Sequence, residues 1–216
     1  MKKTGLFLIL SCFLVLMSSK NTFCNSYVKT GSHEFSDTTT MKVKGDHNFI
    51  NWTGYKIGGQ HTGKISVSTG ELIFIDGAFK GGSFEIDMNS ITNTDITDEG
   101  TNAKLVGHLK SPDFFGVEKH PTGKFVIDKV IAYGPSGENQ KKYKVAGSLT
   151  IKGITKPIKF VTTYYDYETS ISISARIDFD RSDFDIRYGS GTFFDDIGDK
   201  VIYDNVLLDV SLAILK

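Results

Sequence analysis

Five histidines, His33, His47, His61, His108 and His120, are the side chains of this sequence best suited to metal or acid–base chemistry. A zinc site needs three or four such ligands to converge, commonly offered as an i, i+4 pair on a helix or as His-x-His on a strand. No pair here has either spacing, so His61, His108 and His120 form only a scattered set and no metal site is expected. Asp178, Asp180, Asp183 and Asp185 superficially resemble a calcium loop, but its central Gly and closing Glu are missing. Their alternation with Ile177, Phe179 and Phe184 suits the solvated face of a strand and turn. No Gly-x-Ser-x-Gly elbow occurs, and Gly189-Ser190-Gly191 is too short to cradle a phosphate without a following helix. Asp195 and Asp196 are adjacent, so on a strand their carboxylates point to opposite faces. Neither a catalytic residue nor a cofactor is expected.

The elements that carry these residues belong to a chain of 216 residues with 25 Lys+Arg against 25 Asp+Glu, 39% of it apolar and 12% aromatic. That is enough for one large β domain, and the balance excludes a disordered tail or a basic nucleic-acid binder. The start differs from the rest. Lys2 and Lys3 precede an apolar run from Leu6 to Met17, too short to span ~30 Å of hydrocarbon, which takes about 20 residues. Residues 1–24 read as a secretory leader, followed by a polar lead over 25–40, so the expected location is the periplasm or the exterior. Both cysteines, Cys12 and Cys24, lie in or beside this leader, and the exported part therefore has no internal disulfide. Ile9-Leu10-Ser11-Cys12 is loosely like a lipobox, but soluble export is favoured over lipid anchoring.

From residue 41 to 216 the dominant period is two. Met41 and Val43 share one face, as do Ile50 and Trp52, and Ile65 and Val67. Phe84, Ile86 and Met88 alternate with Ser83, Glu85 and Asp87, and the pattern recurs at Phe125, Ile127 and Ile131. It continues at Tyr143, Val145 and Leu149, at Ile158, Phe160 and Tyr164, through Ile171–Phe179, and from Val206 to Leu212. Gly58-Gly59, Gly81-Gly82 and Gly134-Pro135-Ser136-Gly137 are read as turns. One short helical segment near 101–115 interrupts the strands, with Ala103, Leu105, Val106 and Leu109 on one face and Thr101 or Asn102 as N-cap. Eight to ten strands allow a sandwich or a closed barrel, and about eight closed strands enclose room for one small ligand.

Six stretches in register resemble the YceI family of exported lipid-binding proteins. They are Asn51-Trp52-Thr53-Gly54-Tyr55-Lys56, Gly81-Gly82-Ser83-Phe84-Glu85-Ile86-Asp87-Met88, Leu105-Val106-Gly107-His108-Leu109-Lys110-Ser111-Pro112-Asp113-Phe114-Phe115, Glu118-Lys119-His120-Pro121, Gly147-Ser148-Leu149-Thr150-Ile151-Lys152-Gly153 and Arg181-Ser182-Asp183-Phe184. The common family form has Gly after the last of these, where this chain has Asp185. The resemblance implies an all-β, eight-stranded antiparallel barrel of lipocalin-like shape that holds a polyisoprenoid or similar amphiphile, of polyprenyl or quinone type, without catalysing a reaction. By alternation, the residues expected to line its lumen are Trp52, Phe84, Ile86, Met88, Phe125 and Ile127, with Phe114 and Phe115 at the helical cover. Transient contact with a membrane and a dimeric state are compatible with that role. An envelope stress or interaction module, its barrel packed solid, is the alternative.

Overall fold

The computed structural model describes residues 36–44, 48–195 and 198–216; the leader, most of the polar lead, His33, His47 and Asp196 lie outside them. The elements in chain order are β1 (Thr38–Lys44), β2 (Phe49–Lys56), β3 (Gly59–Ile75), β4 (Ala78–Asn93), α1 (Glu99–Lys110), β5 (Thr122–Ala132), β6 (Gln140–Ile151), β7 (Ile154–Asp166), β8 (Ser170–Asp180) and β9 (Ile202–Leu215). A 3-10 turn over Arg181–Phe184 follows β8. Every ladder is antiparallel, and β3–β4 pairing closes the sheet order β3-β2-β9-β8-β7-β6-β5-β4 into a barrel.

Nine segments fill eight positions in the wall. One edge of β3 takes β2 along Gly59–Ser66 and β1 along Thr69–Ile75, so β1 and β2 are one strand with an interruption. Asn48, buried beside the break, donates from Nδ2 to the Ala213 carbonyl at 3.2 Å and accepts the Ala213 N–H at 2.7 Å. Its side-chain amide thereby replaces a rung of backbone ladder, which leaves no buried peptide group of β9 unpaired at that point. The first strand starts at Thr38, ahead of the expected boundary at residue 41.

Tight turns set the register. Asp76 and Gly77 (φ 50° and 72°) join β3 to β4, and Lys152 and Gly153 (φ 52° and 75°) join β6 to β7, both with the two positive φ values of a type I′ hairpin. Gly81-Gly82 is not a turn, contrary to expectation. Both residues lie inside β4, where Gly82 approaches β3 so closely that a Cβ would stand 2.2 Å from the Glu71 carbonyl oxygen. Ile131 is a second correction. Between Ile127 and Lys129 the β5–β6 register shifts by one residue, so Asp128 forms a bulge, Val130 turns inward, and Ile131 faces out with 49% exposure.

The one helical segment lies where it is expected: α1 runs from Glu99 to Lys110, ends ahead of Pro112, and the chain turns through Ser111–Phe115. Its N-cap is Asp98, whose carboxylate accepts the Thr101 N–H at 2.8 Å; neither Thr101 nor Asn102 serves as the cap. Asn102 instead donates to the carbonyls of Asn93 and Ile96, which fixes the lead-in loop to the end of β4. Leu105 and Leu109 face the barrel and Ala103 is exposed, so the helix covers one end with a narrow apolar stripe.

Candidate functional site

Inward-facing side chains alternate along every strand, but they do not fill the interior. Three inward glycines explain part of this. Trp52 lies over Gly63, Phe84 over Gly70 and Phe125 over Gly147, each ring within 2.6 Å of where a Cβ would stand. The rings therefore lie against the wall instead of crossing the lumen. Two apolar chambers result. One, of about 120 Å³, sits under α1 and is lined by Trp52, Ile86, Met88, Phe114 and Phe115 among others. The next, of about 90 Å³, is lined by Phe84, Ile86, Phe125 and Ile127 among others. Ile50, Ile86, Leu149 and Leu208 border both, so the chambers follow one another along a single lumen. From Phe79 to Ile91 along β4, at about 3.3 Å per residue and a tilt near 40°, this lined stretch extends ~30 Å along the barrel axis.

Of the residues expected from alternation and at the helical cover, Trp52, Met88, Phe114 and Phe115 border the first chamber, Phe84, Phe125 and Ile127 the second, and Ile86 both. Trp52, Phe84, Ile86, Met88, Phe114 and Phe125 are buried, whereas Phe115 and Ile127 are partly buried. Phe114 and Phe115 pack edge to face at 5.2 Å beneath the helix. The strand expectations missed Leu149, Ile151 and Ile65 as lining, although their parity with Val145 and Val67 gave the signal.

Each end of the lumen is built differently. Beneath α1, Arg181 borders the larger chamber and is 1% exposed. Its guanidinium donates to the carbonyls of Ile186, Tyr188, Ile202 and Tyr203 at 2.9–3.3 Å and pairs with Asp204 at 3.1 Å. Burial lowers its pKa while Asp204 and Asp180 oppose that shift; an arginine stays charged regardless. With its donors occupied by the chain itself, Arg181 ties the 3-10 turn to β9 and floors the chamber with a buried, charged pair. The motif Arg181-Ser182-Asp183-Phe184 marked this residue without indicating its burial. Ser190, fully buried, donates to Asp204 at 2.8 Å, so Gly189-Ser190-Gly191 serves this network.

At the far end four rings close on one another: Phe74–Phe79 at 5.7 Å, Phe79–Tyr143 at 5.5 Å, Tyr143–Tyr164 at 6.3 Å and Tyr164–Phe74 at 6.1 Å. Burial pushes both tyrosine pKa values up, and the nearby Asp166 charge adds to it. The phenols stay neutral, and this end is a partly polar aromatic plug.

The histidines are dispersed. His61 pairs with Asp95 at 2.8 Å, whereas His108 packs edge to face on Tyr188 with ring centroids 4.2 Å apart. His120 lies near Gly116 and Gly153. Among the described residues no three His, Cys, Asp or Glu side chains converge as metal ligands. Burial works against the Asp95 charge, but hydrogen bonds from the Thr62 N–H, His61 and Asn93 outweigh it and hold the carboxyl below its usual range. Of the acidic cluster, Asp178 and Asp180 are exposed, Asp183 pairs with Lys156 at 3.6 Å, and Asp185 pairs with Arg187. Asp185 adopts φ 57°, a left-handed conformation in which Gly is unstrained.

A family model described as a YceI-like domain matches residues 39–214. Among curated relatives, a UPF0312 protein of Photorhabdus laumondii is 36% identical over 120 residues, 55% of this chain and 56% of that protein. A UPF0312 protein of Pseudomonas putida is 32% identical over 130 residues, 56% of this chain and 58% of that protein. The chain thus spans little more than half the length of the curated relatives it matches. Among solved structures, BcnA of Burkholderia cenocepacia superposes with a TM-score of 0.58 at 20% identity, covering 77% of this chain and 95% of BcnA. A domain of Saccharophagus degradans, described as polyisoprenoid-binding and implicated in plant cell wall breakdown, gives 0.60 at 14% identity, covering 83% and 99%. At these identities the likeness is one of fold.

Proposed function

The chain belongs to the family of YceI-like domains, and from that premise we propose that it is a non-enzymatic carrier that holds a long apolar, isoprenoid-like lipid in its lumen. The observation that carries this reading is the pair of apolar chambers in series, bounded by a charged floor at one end and a tyrosine plug at the other. Burying apolar surface contributes ~0.8 kcal/mol per CH₂, so a five-carbon unit gains about 4 kcal/mol before ordering terms reduce it. Such a tail needs length and apolarity, not a catalytic group. The description of the Saccharophagus domain as polyisoprenoid-binding supports a polyprenyl or quinone-type tail. The leader-like residues 1–24 support action in the periplasm or outside the cell.

One observation favours the second reading, a packed stress or interaction module. Each chamber is smaller than the ~150 Å³ apolar cavity that accepts one benzene ring. A long tail must therefore displace side chains, of which Met88, unbranched and adaptable, is the most readily moved. Native mass spectrometry and organic extraction of the protein purified from its own envelope separate the readings. A co-purifying lipid of isoprenoid mass is expected. If none is found and a fluorescent farnesyl probe does not bind either, the carrier reading is wrong.

A further inference from the structure

The barrel wall is parted between β7 and β8. Their ladder pairs only Thr162–Asp166 with Ile171–Ala175, although β7 begins at Ile154 and β8 continues to Asp180. On their other edges the same strands are paired throughout, β7 with β6 from Ile154 and β8 with β9 to Asp180. Pro157 lies in the unpaired stretch of β7 and has no N–H to donate. Along β7, Thr162 and Tyr164 are buried where the ladder holds and Ile158 and Phe160, of the same parity, are half-buried where it is missing, while Ile177 and Phe179 on the facing lip stay buried. Across β6 the inward Val145 and Leu149 are buried throughout. Phe160 and Val145 border both the inner chamber and a groove of about 430 Å³ on the outside, so only the strand wall separates the two spaces there.

That outer groove has a distinct chemistry. It is lined by Lys129, Lys144 and Lys159 around Ile131 and Val161, which are 49% and 41% exposed. Lys144 also lies over the exposed Tyr133 ring at 4.3 Å. The neighbouring carboxylate on this face, Asp128, accepts a hydrogen bond from Ser148 at 2.9 Å. Across the seam the exposed charged side chains of β8 are Arg176, paired with Asp209 at 3.8 Å, and Asp178 and Asp180, so the excess of positive charge lies on the β5–β7 side. Lysines on an edge strand also deter strand addition, but that explains only Lys159, since Lys144 and Lys129 lie one and two strands further in.

We propose that the outer face of β5–β7 docks on an anionic lipid bilayer, and that the parted β7/β8 seam beside it is the port through which the tail passes into the lumen; this rests on the carrier reading above. Lysines meet the anionic headgroups, and Ile131, Val161 and Tyr133 meet the interface. Ile158 and Phe160 then form an apolar path past one lip of the seam. At its end Lys156 and Asp183 pair at 3.6 Å with 40% and 57% exposure, a solvent-screened contact that offers little resistance to opening.

The test is transfer of a dansyl-labelled farnesyl probe from vesicles to the full chain, in a Cys12→Ser/Cys24→Ser background. Lys129→Glu/Lys144→Glu/Lys159→Glu should slow transfer from phosphatidylserine-containing vesicles by about tenfold or more and abolish its salt dependence. Transfer from pure phosphatidylcholine vesicles, and equilibrium loading from detergent, should be unchanged. Lys159→Cys/Asp178→Cys joined by a short bismaleimide should slow transfer from both vesicle types. The same link at Thr69→Cys/Glu85→Cys, paired on the opposite wall, should have no effect. Equal rates for the charge-reversed and parent proteins from anionic vesicles would overturn the docking face. Equal rates with the seam linked and open, with loading intact, would overturn the port. No loading of the parent from detergent would instead remove the carrier reading and the port with it.

Discussion

Gly54 is the position at which packing and carriage make opposite demands. It faces inward on β2 in line with Ile50 and Trp52, lines the 120 Å³ chamber, and has no atom within 4 Å of where a Cβ would stand. Its φ is not positive, so an L side chain meets no backbone strain. Gly54→Leu should therefore fill part of the chamber. Burial of the side chain contributes about 1.5–3 kcal/mol, and removing a strand glycine about 0.5–1 kcal/mol more. Rotamer ordering takes back about 0.5–1 kcal/mol, leaving a gain near 2 kcal/mol. At about 2–4 °C per kcal/mol for a protein of this size, the melting temperature should rise by ~4–8 °C. The same four carbons occupy space the tail would use. At ~0.8 kcal/mol per CH₂ that is ~3 kcal/mol of lost burial, or about a hundredfold in Kd.

Thermal unfolding followed by circular dichroism, with titration of a fluorescent farnesyl probe, reads both quantities on one sample. A lowered melting temperature would mean that the interior has no such room. A raised melting temperature with Kd unchanged within threefold would mean that the tail does not enter this chamber. Gly63→Leu is the contrasting variant: its Cβ would stand 1.8 Å from the Thr92 carbonyl oxygen and 2.5 Å from the Trp52 ring, so the protein should be destabilised.

Four further outcomes follow from the same geometry. Phe84→Asp puts a carboxylate on the buried face beside Gly70 and should abolish probe loading, whereas Glu85→Ala on the exposed face should leave it within twofold; equal effects would mean that the alternation is inverted. Arg181→Met strands the partly buried Asp204 and removes the donors from four carbonyls, so chemical denaturation should report a loss of about 3–5 kcal/mol, and a loss under 1 kcal/mol would refute the role given to the guanidinium. Because the folded-state pKa of Tyr164 is raised, its stabilisation is complete below the unfolded value near pH 10 and declines above it; Tyr164→Phe should reduce the loss of melting temperature between about pH 9 and 11. Asp95 has the opposite sign: its lowered folded-state pKa gives stability above the unfolded value near pH 4 that is lost as the pH falls, so Asp95→Asn should flatten the melting profile between about pH 5 and 2.5.

The faces of the regular strands are legible because period two depends only on the backbone: β4 buries Phe84, Ile86 and Met88 and β8 buries Ile171, Ile173, Ile177 and Phe179, as their alternation selects, while β9 turns Val206, Leu208, Val210 and Leu212 inward with only Leu212 fully buried. Ile131 is not, since a single bulge residue at Asp128 reverses parity and leaves no compositional trace. Gly81-Gly82 looked like a turn because glycine also serves where two strands approach closely, and sequence does not separate those uses. Asp98 was passed over as a cap in favour of Thr101 and Asn102, whose actual roles are to donate an N–H to it and to brace the loop. Arg181 defied expectation more deeply. Arginine is almost never fully buried, and only converging carbonyls and a carboxylate, contributed by segments up to 23 positions away, make its burial tolerable. The seam left one trace in the sequence, Pro157, which has no N–H for a ladder, while its extent is a property of the relative course of two strands and not of either sequence.

These features bear on how a small lumen could hold a long tail. Closure of a barrel removes edges and makes the wall stiff, because widening it anywhere along a ladder breaks backbone hydrogen bonds that water must then satisfy. Over Ile154–Val161 and Arg176–Asp180 that resistance is missing, since the β7–β8 ladder does not reach them. The smaller chamber is lined by Ile158, Phe160 and Ile177 from these two lips. Expansion to admit a tail should therefore separate β7 from β8 before any other pair of strands, and it would move Ile158 and Phe160, inward residues of β7 whose burial is incomplete. Amide hydrogen exchange reads this directly: loading should change protection along Ile154–Val161 and Arg176–Asp180 while the β3–β4 ladder stays as it was. Uniform change around the whole wall would mean that the barrel breathes as one body, and the seam would then have no special part in accommodating the tail.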